Sequence, residues 1–132
     1  MKKVLIALFT AAALLALAAE KLTPDALIAQ ADKQDGKVVT LTGKVEKFEE
    51  KTSKKGNKYT VFKVKGTKES VSVWIKNHLE AAKKPANGDT VEVIGLFKKE
   101  KKVGDLVFKN EVDASTVKDK PNGVKVTKKA KA

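Results

Sequence analysis

Val38-Val39-Thr40-Leu41-Thr42-Gly43-Lys44-Val45-Glu46-Lys47-Phe48-Glu49-Glu50 alternates apolar and polar side chains with a period of two. That period puts successive side chains on opposite sides of an extended backbone, so the stretch reads as one long strand with a buried face and a wet face. Gly43 interrupts it midway and predicts a bulge or sharp bend. A long strand that bends in its middle can pair with two different parts of one sheet.

Upstream the period is helical. Thr23 suits an N-cap, Pro24 the first helical position and Asp25 the electropositive end of the helix dipole. Leu27, Ile28 and Ala31 supply an apolar stripe and Gly36 a stop, which predicts a helix within residues 22–36. Downstream, a polar turn at Lys51 to Lys58 leads to a second strand, Tyr59 to Val64. Gly66-Thr67-Lys68 turns that strand into a third, Ser70 to Lys76. Asn77 followed by Glu80 has the spacing of a capping box and predicts a short helix, ended by Pro85 and Asn87-Gly88. Thr90 to Phe97 is a fourth strand, Lys98 to Asp105 a charged hairpin around Gly104, and Leu106 to Val112 a fifth.

Five strands with a helical connection between the third and fourth give an all-β fold, a five-stranded OB-fold barrel over residues 37–117. Residues 118–132 carry six lysines, with Val124 and Val126 as the only large apolar side chains, and predict a disordered lysine-rich tail.

Four segments carry a family resemblance: Asp35-Gly36-Lys37-Val38-Val39-Thr40-Leu41-Thr42-Gly43-Lys44-Val45, Gly56-Asn57-Lys58-Tyr59-Thr60-Val61-Phe62-Lys63-Val64, Asn87-Gly88-Asp89-Thr90-Val91-Glu92-Val93-Ile94-Gly95, and Gly104-Asp105-Leu106-Val107-Phe108. Together they resemble bacterial OB-fold domains of the tRNA-anticodon-binding-like group, over about residues 24–117. In layout the chain is also similar to small exported OB proteins of the periplasmic stress-related kind. It lacks the appended catalytic domain of the synthetase and nuclease relatives, so the resemblance implies binding and no catalysis.

Residues 1–18 read as a cleaved signal peptide. Lys2 and Lys3 precede an apolar run from Val4 to Leu17, and Ala16-Leu17-Ala18 supplies the small residues of a cleavage site. The run is shorter than the roughly twenty residues that cross a bilayer. A periplasmic or secreted protein, with no membrane span after cleavage, is therefore expected. All 28 basic residues are lysine, and the chain without its first eighteen residues keeps 26 of them against 16 acids, a formal +10. That balance favours a polyanion as partner. Without arginine's planar fork, binding to an anion is expected to be electrostatic and weakly sequence-specific. The absence of cysteine excludes disulfides, thiolate metal sites and thiol nucleophiles.

Strand phase names a candidate surface. Phe62, Val64, Val71, Val73 and Ile75 fall on the inward phase. The outward phase carries Tyr59, Val61, Lys63 and Lys65 on the second strand and Ser70, Ser72, Trp74 and Lys76 on the third. Lys44, Glu46 and Phe48 extend that face unless a bulge inverts their phase. Bases stack on aromatic rings while ammonium groups follow phosphates. The predicted ligand-binding set is therefore Tyr59 and Trp74 for stacking, with Lys63, Lys65 and Lys76 beside them. Lys54, Lys55 and Lys58 of the first hairpin, with Lys98, Lys99, Lys101 and Lys102 of the last, complete it as a clamp.

His78, the sole histidine, has no carboxylate partner in sequence, and no metal-ligand spacing, P-loop or nucleophile motif is present. No enzyme, cofactor or metal is expected. The expected function is that of a monomeric binding module for single-stranded nucleic acid, without sequence preference. The alternative is a periplasmic stress or interaction protein whose surface takes a protein, a glycan or a small ligand. A third expectation is adhesion to anionic lipid or polysaccharide through the tail.

Overall fold

The computed structural model describes residues 20–130; the expected signal peptide lies outside the described residues. The first long strand runs further than its sequence pattern, as β2 (Val38–Thr52), and organises the rest. Before it come a two-residue strand β1 (Lys21–Leu22) and two short helices, α1 (Pro24–Ala29) and α2 (Ala31–Gln34). After it come β3 (Lys58–Lys65), β4 (Ser70–Lys76), a single 3-10 turn at Ala81–Lys83, β5 (Thr90–Val103), β6 (Leu106–Asp113) and β7 (Gly123–Lys128).

The strands form one sheet in the order β1-β2-β3-β4-β6-β5-β7, closed into a ring by pairing of β2 with β5. The N-terminal half of β2, Val38 to Lys44, pairs antiparallel with β5, and the C-terminal half, Lys44 to Thr52, pairs antiparallel with β3. A short parallel contact, Ser72 to Trp74 of β4 beside Glu111 to Asp113 of β6, closes the opposite side. Strands β2 to β6 thus make the all-β, OB-like barrel expected from the sequence, with β1 and β7 added at its edges.

Alternation fills the interior. Phe62, Val64, Val71, Val73 and Ile75 are buried as their phase predicts, with Val39, Leu41, Val45, Val91, Val93, Phe97 and Val112 from the other strands. Each such side chain contributes on the order of 1.5–3 kcal/mol when removed from water. Leu27 of α1 is fully buried in the same core. Thr23 caps α1, its hydroxyl accepting from the Ala26 N–H at 3.2 Å. The Asp25 carboxylate accepts from the backbone N–H groups of Thr67, Lys68 and Glu69, so the helix start pins the β3–β4 turn. Those bonds, that of Glu69 foremost, hold the Asp25 carboxyl below its ordinary value.

Four expectations are corrected. The helix of residues 22–36 is broken at Gln30, which separates α1 from α2. Gly43 does not bulge: register with β5 runs unbroken through Gly43 opposite Val91, and the bulge falls between Glu46 and Glu49. What Gly43 supplies is closeness, since a Cβ there would lie 2.7 Å from Val64 Cγ1. The short helix after β4 is only the 3-10 turn, because Asn77 adopts φ 74° instead of capping. Its carbonyl accepts from the Thr60 hydroxyl at 2.9 Å.

The fourth correction concerns the tail. Residues 123–128 are not disordered but form β7, which extends the sheet along β5, with Val124 opposite Val93 and Val126 opposite Val91. The two apolar residues of a lysine-rich segment suffice because they alternate and meet an edge already built. Asp89, 2% exposed, locks the end of this strand. Its carboxylate accepts from the Ala130 N–H at 2.8 Å and the Ala86 N–H at 2.9 Å, with Lys129 Nζ at 3.5 Å. The Ala130 bond, then that of Ala86, lowers the Asp89 pKa from its ordinary 3.8.

Gly95 marks a second close approach, where a Cβ would meet the Asp113 carbonyl oxygen at 2.3 Å. Gly95→Ala is expected to lower stability by about 1–3 kcal/mol in chemical denaturation, because backbone must move to admit the methyl group. The depressed pKa values of Asp25 and Asp89 set an acid limit. Their stabilisation is complete above the ordinary 3.8 and is lost as pH falls through the lower native values. Thermal melts of the wild type should fall in that acid range, and those of Asp89→Ala should depend less on pH there.

Candidate nucleic-acid interface

Outward-facing residues of β3 and β4 meet in register. Tyr59 lies opposite Lys76, Val61 opposite Trp74, and Lys63 opposite Ser72. Diagonal neighbours on a sheet are within reach of large rings, and Tyr59 and Trp74 stack with centroids 6.2 Å apart and planes at 24°. The pair forms an aromatic platform on the barrel's outer face.

The bulge in β2 decides what borders the platform. Lys47, at φ 56°, and Phe48 together face the single residue Phe62 of β3. The extra residue inverts the phase of the strand beyond it. Phe48 therefore leaves the outer face and packs on Phe62, centroids 6.0 Å apart, while its N–H donates to Asn87 Oδ1 at 2.9 Å. Glu49 and Lys51 take the outer face, opposite Val61 and Tyr59. Their side chains pair at 3.1 Å, and the Glu49 carboxylate raises the pKa of Lys51.

The β5–β6 hairpin supplies the other wall. Together with the platform it encloses a groove of about 700 Å3, to which the hairpin contributes Lys101, Val103, Phe108 and Glu111. Lys101 Nζ stands 5.2 Å from the Trp74 ring centroid, a cation–π distance, and 3.1 Å from Glu111 Oε1. Four lysines (Lys47, Lys51, Lys63 and Lys101) line the groove against two carboxylates, Glu49 and Glu111. Lys47 and Lys63 make no ion pair among the described residues. The hairpin lip is apolar and wet: Val103 is 50% exposed, Leu106 62% and Phe108 41%.

Of the residues singled out from sequence, Tyr59, Lys63, Trp74 and Lys101 converge on this groove. Lys65 stands at the far end of β3 beside Ser70, and Lys76 flanks Tyr59 outside the groove lining. Lys54 and Lys55 are exposed in the β2–β3 turn, and Lys58 shares the phase of buried Thr60 and Phe62, away from the platform. Lys98 lines a smaller neighbouring hollow of about 400 Å3 with Asp113. Lys102 lies opposite Val107, one step out of phase with Lys101.

Lys99 is turned to other work. Its ammonium pairs with Asp32, which raises its pKa, and its N–H donates to Asp35 Oδ1 at 2.9 Å, tying β5 to the α2 region. Of the expected two-hairpin clamp, Lys101 alone lines the groove, and Lys51 near the end of β2, outside the expected set, lines it as well.

Sequence reasoning missed Lys47, Glu49, Glu111, Val103 and Phe108 as groove residues. Only the apolar run Leu106-Val107-Phe108 inside a charged hairpin signalled any of them. His78 Nε2 lies 3.0 Å from the Lys51 carbonyl oxygen and ties the loop after β4 to the first hairpin. Among the described residues, no group of three or more His, Asp or Glu side chains is placed to hold a metal ion.

No family model and no curated protein sequence matches the chain. Among solved structures, it is similar to a Leishmania major Friedlin protein assigned as an aspartyl-tRNA synthetase, with 8% identity and a TM-score of 0.58. The similarity covers 90% of this chain and 23% of the other, so the chain spans under a quarter of that protein's length. At this identity the likeness is one of fold, and it agrees with the OB-like order β2-β3-β4-β6-β5 read from the strand pairings.

Proposed function

We propose that the chain is an OB-type binding module that holds single-stranded nucleic acid in the groove between the β3–β4 platform and the β5–β6 hairpin. The observation that carries this reading is the stacked Tyr59–Trp74 pair inside a groove lined by four lysines. Aromatic rings accept any base by its face, and flexible ammonium groups follow any phosphate, so both main contributions are indifferent to sequence. The fold likeness to part of a protein assigned as a tRNA synthetase accords with this reading, although a fold by itself does not carry a function. The role is binding and not catalysis, and the expected signal peptide supports a location in a periplasm or outside the cell.

A second reading draws on the apolar lip of Val103, Leu106 and Phe108. A protein, glycan or small ligand with an apolar face would cover these side chains, as in an exported interaction or stress protein. For adhesion to anionic lipid or polysaccharide, the basic segment would act from a strand and not as a free tail, with Lys125 and Lys128 exposed on β7.

Anisotropy of labelled oligothymidylate separates the two readings. Affinity is expected to fall steeply with salt as condensed counterions are released. Trp74→Ala should weaken binding by about 1–3 kcal/mol. Lys63→Ala should lower the slope of log affinity against log salt by about 0.7. Absence of binding at low salt would remove the nucleic-acid reading and leave the second.

A further inference from the structure

Glu111 is a groove carboxylate that neither stacking nor phosphate contact employs. Its side chain is only 10% exposed, set on β6 beside Ser72 of β4. One carboxylate oxygen accepts from Lys101 Nζ at 3.1 Å, and the other takes no hydrogen bond from any described residue. A carboxylate in a groove for phosphates repels the ligand's charge, and its second oxygen, open to the groove in the free protein, needs donors once a ligand covers it. Its position answers the question of what those donors are. Lys101 bridges the Glu111 carboxylate and the Trp74 ring, so the edge of a base lying on Trp74 is brought toward Glu111.

A base that stacks on Trp74 displaces the Lys101 ammonium from above the ring. Lys101 becomes free to meet a phosphate, and Glu111 loses its donor. A carboxylate accepts hydrogen bonds and donates none, and its two oxygens suit a pair of parallel N–H groups. Guanine alone of the common bases presents two adjacent donors on its Watson–Crick edge, N1–H and the N2 amino group. Adenine and cytosine each set one amino group beside a ring acceptor, which a carboxylate repels, and thymine sets one N–H between two carbonyls.

We propose that Glu111 is a specificity-determining residue that makes the groove prefer guanine at the position stacked on Trp74. This rests on the nucleic-acid reading and adds one base preference to a site otherwise indifferent to sequence. The exchange is balanced: the carboxylate gives up one ammonium donor and gains two N–H donors.

The test compares a short oligothymidylate carrying one central guanine with the all-thymine oligomer of the same length, by anisotropy at fixed salt. The guanine oligomer is expected to bind roughly 5- to 100-fold more tightly, the range of a good bidentate base contact. Hypoxanthine in place of the guanine removes the N2 donor and should return most of that gain. Glu111→Gln is expected to weaken the guanine oligomer and to tighten the all-thymine one, since a negative charge leaves the groove.

A carboxylate that merely holds Lys101 or repels phosphate predicts instead that Glu111→Gln shifts both oligomers in the same direction, which overturns the proposal. Equal affinity of the wild type for the two oligomers also overturns it while leaving the nucleic-acid reading intact. Binding of neither oligomer removes both. The guanine and hypoxanthine comparison uses the wild-type protein, so it decides even if the variant fails to fold.

Discussion

The double pairing of β2 is the constraint from which the rest of the molecule follows. One strand must hydrogen-bond to β5 along Val38–Lys44 and to β3 along Lys44–Thr52. A flat ribbon cannot do both, so the strand is coiled, and closeness at Gly43 lets β3 come near it. Closure into a ring hides the backbone groups of five strands and aligns their apolar faces inward. The direct antiparallel pairing of β3 with β4 makes their outer faces continuous, the surface on which Tyr59 and Trp74 meet.

Within that frame the site depends on an irregularity. Had β2 kept its phase past Glu46, Phe48 would stand on the outer face and Glu49 and Lys51 would not. The bulge at Lys47 sends the phenyl ring to Phe62 and the charged pair to the groove. A bulge leaves its extra residue unpaired and disrupts the ladder locally, yet here it serves core and surface together. The left-handed backbone of Lys47 is the local expense, offset by the ring packing and by the Asn87 side chain on the Phe48 N–H.

The barrel was legible because its signal is collective. Period-two alternation in β3 and β4 placed Phe62, Val64, Val71, Val73 and Ile75 inside, and Tyr59 and Trp74 outside, without need of any contact. The bulge was not legible at its true position: nothing in Glu46-Lys47-Phe48-Glu49 resembles the glycine that usually marks one, while Gly43 does. β7 was hidden for a thermodynamic reason. Residues 118–132 could not bury enough surface alone, and only the existing edge of β5 and the Asp89 carboxylate make Val124 and Val126 sufficient. Lys99 and Lys101 look alike in sequence, and distant partners, Asp32 and Glu111, assign them different tasks.

β1 and β7 have a bearing on how the module can be held. β1 lies along Thr40 and Leu41 of β2, and β7 along Thr90 to Ile94 of β5. The groove uses the opposite ends of the same two strands, Lys47 to Lys51 and Lys101 to Val103. The described chain therefore starts beside Thr40, at the end of β2 away from the groove, while its last described residue, Ala130, is held at Asp89, next to Val45 and close to the bulge. A surface, a neighbouring domain or an immobilising tag joined ahead of β1 thus stands at the end of β2 remote from the groove, whereas one joined after β7 stands on the side of its Lys47 wall.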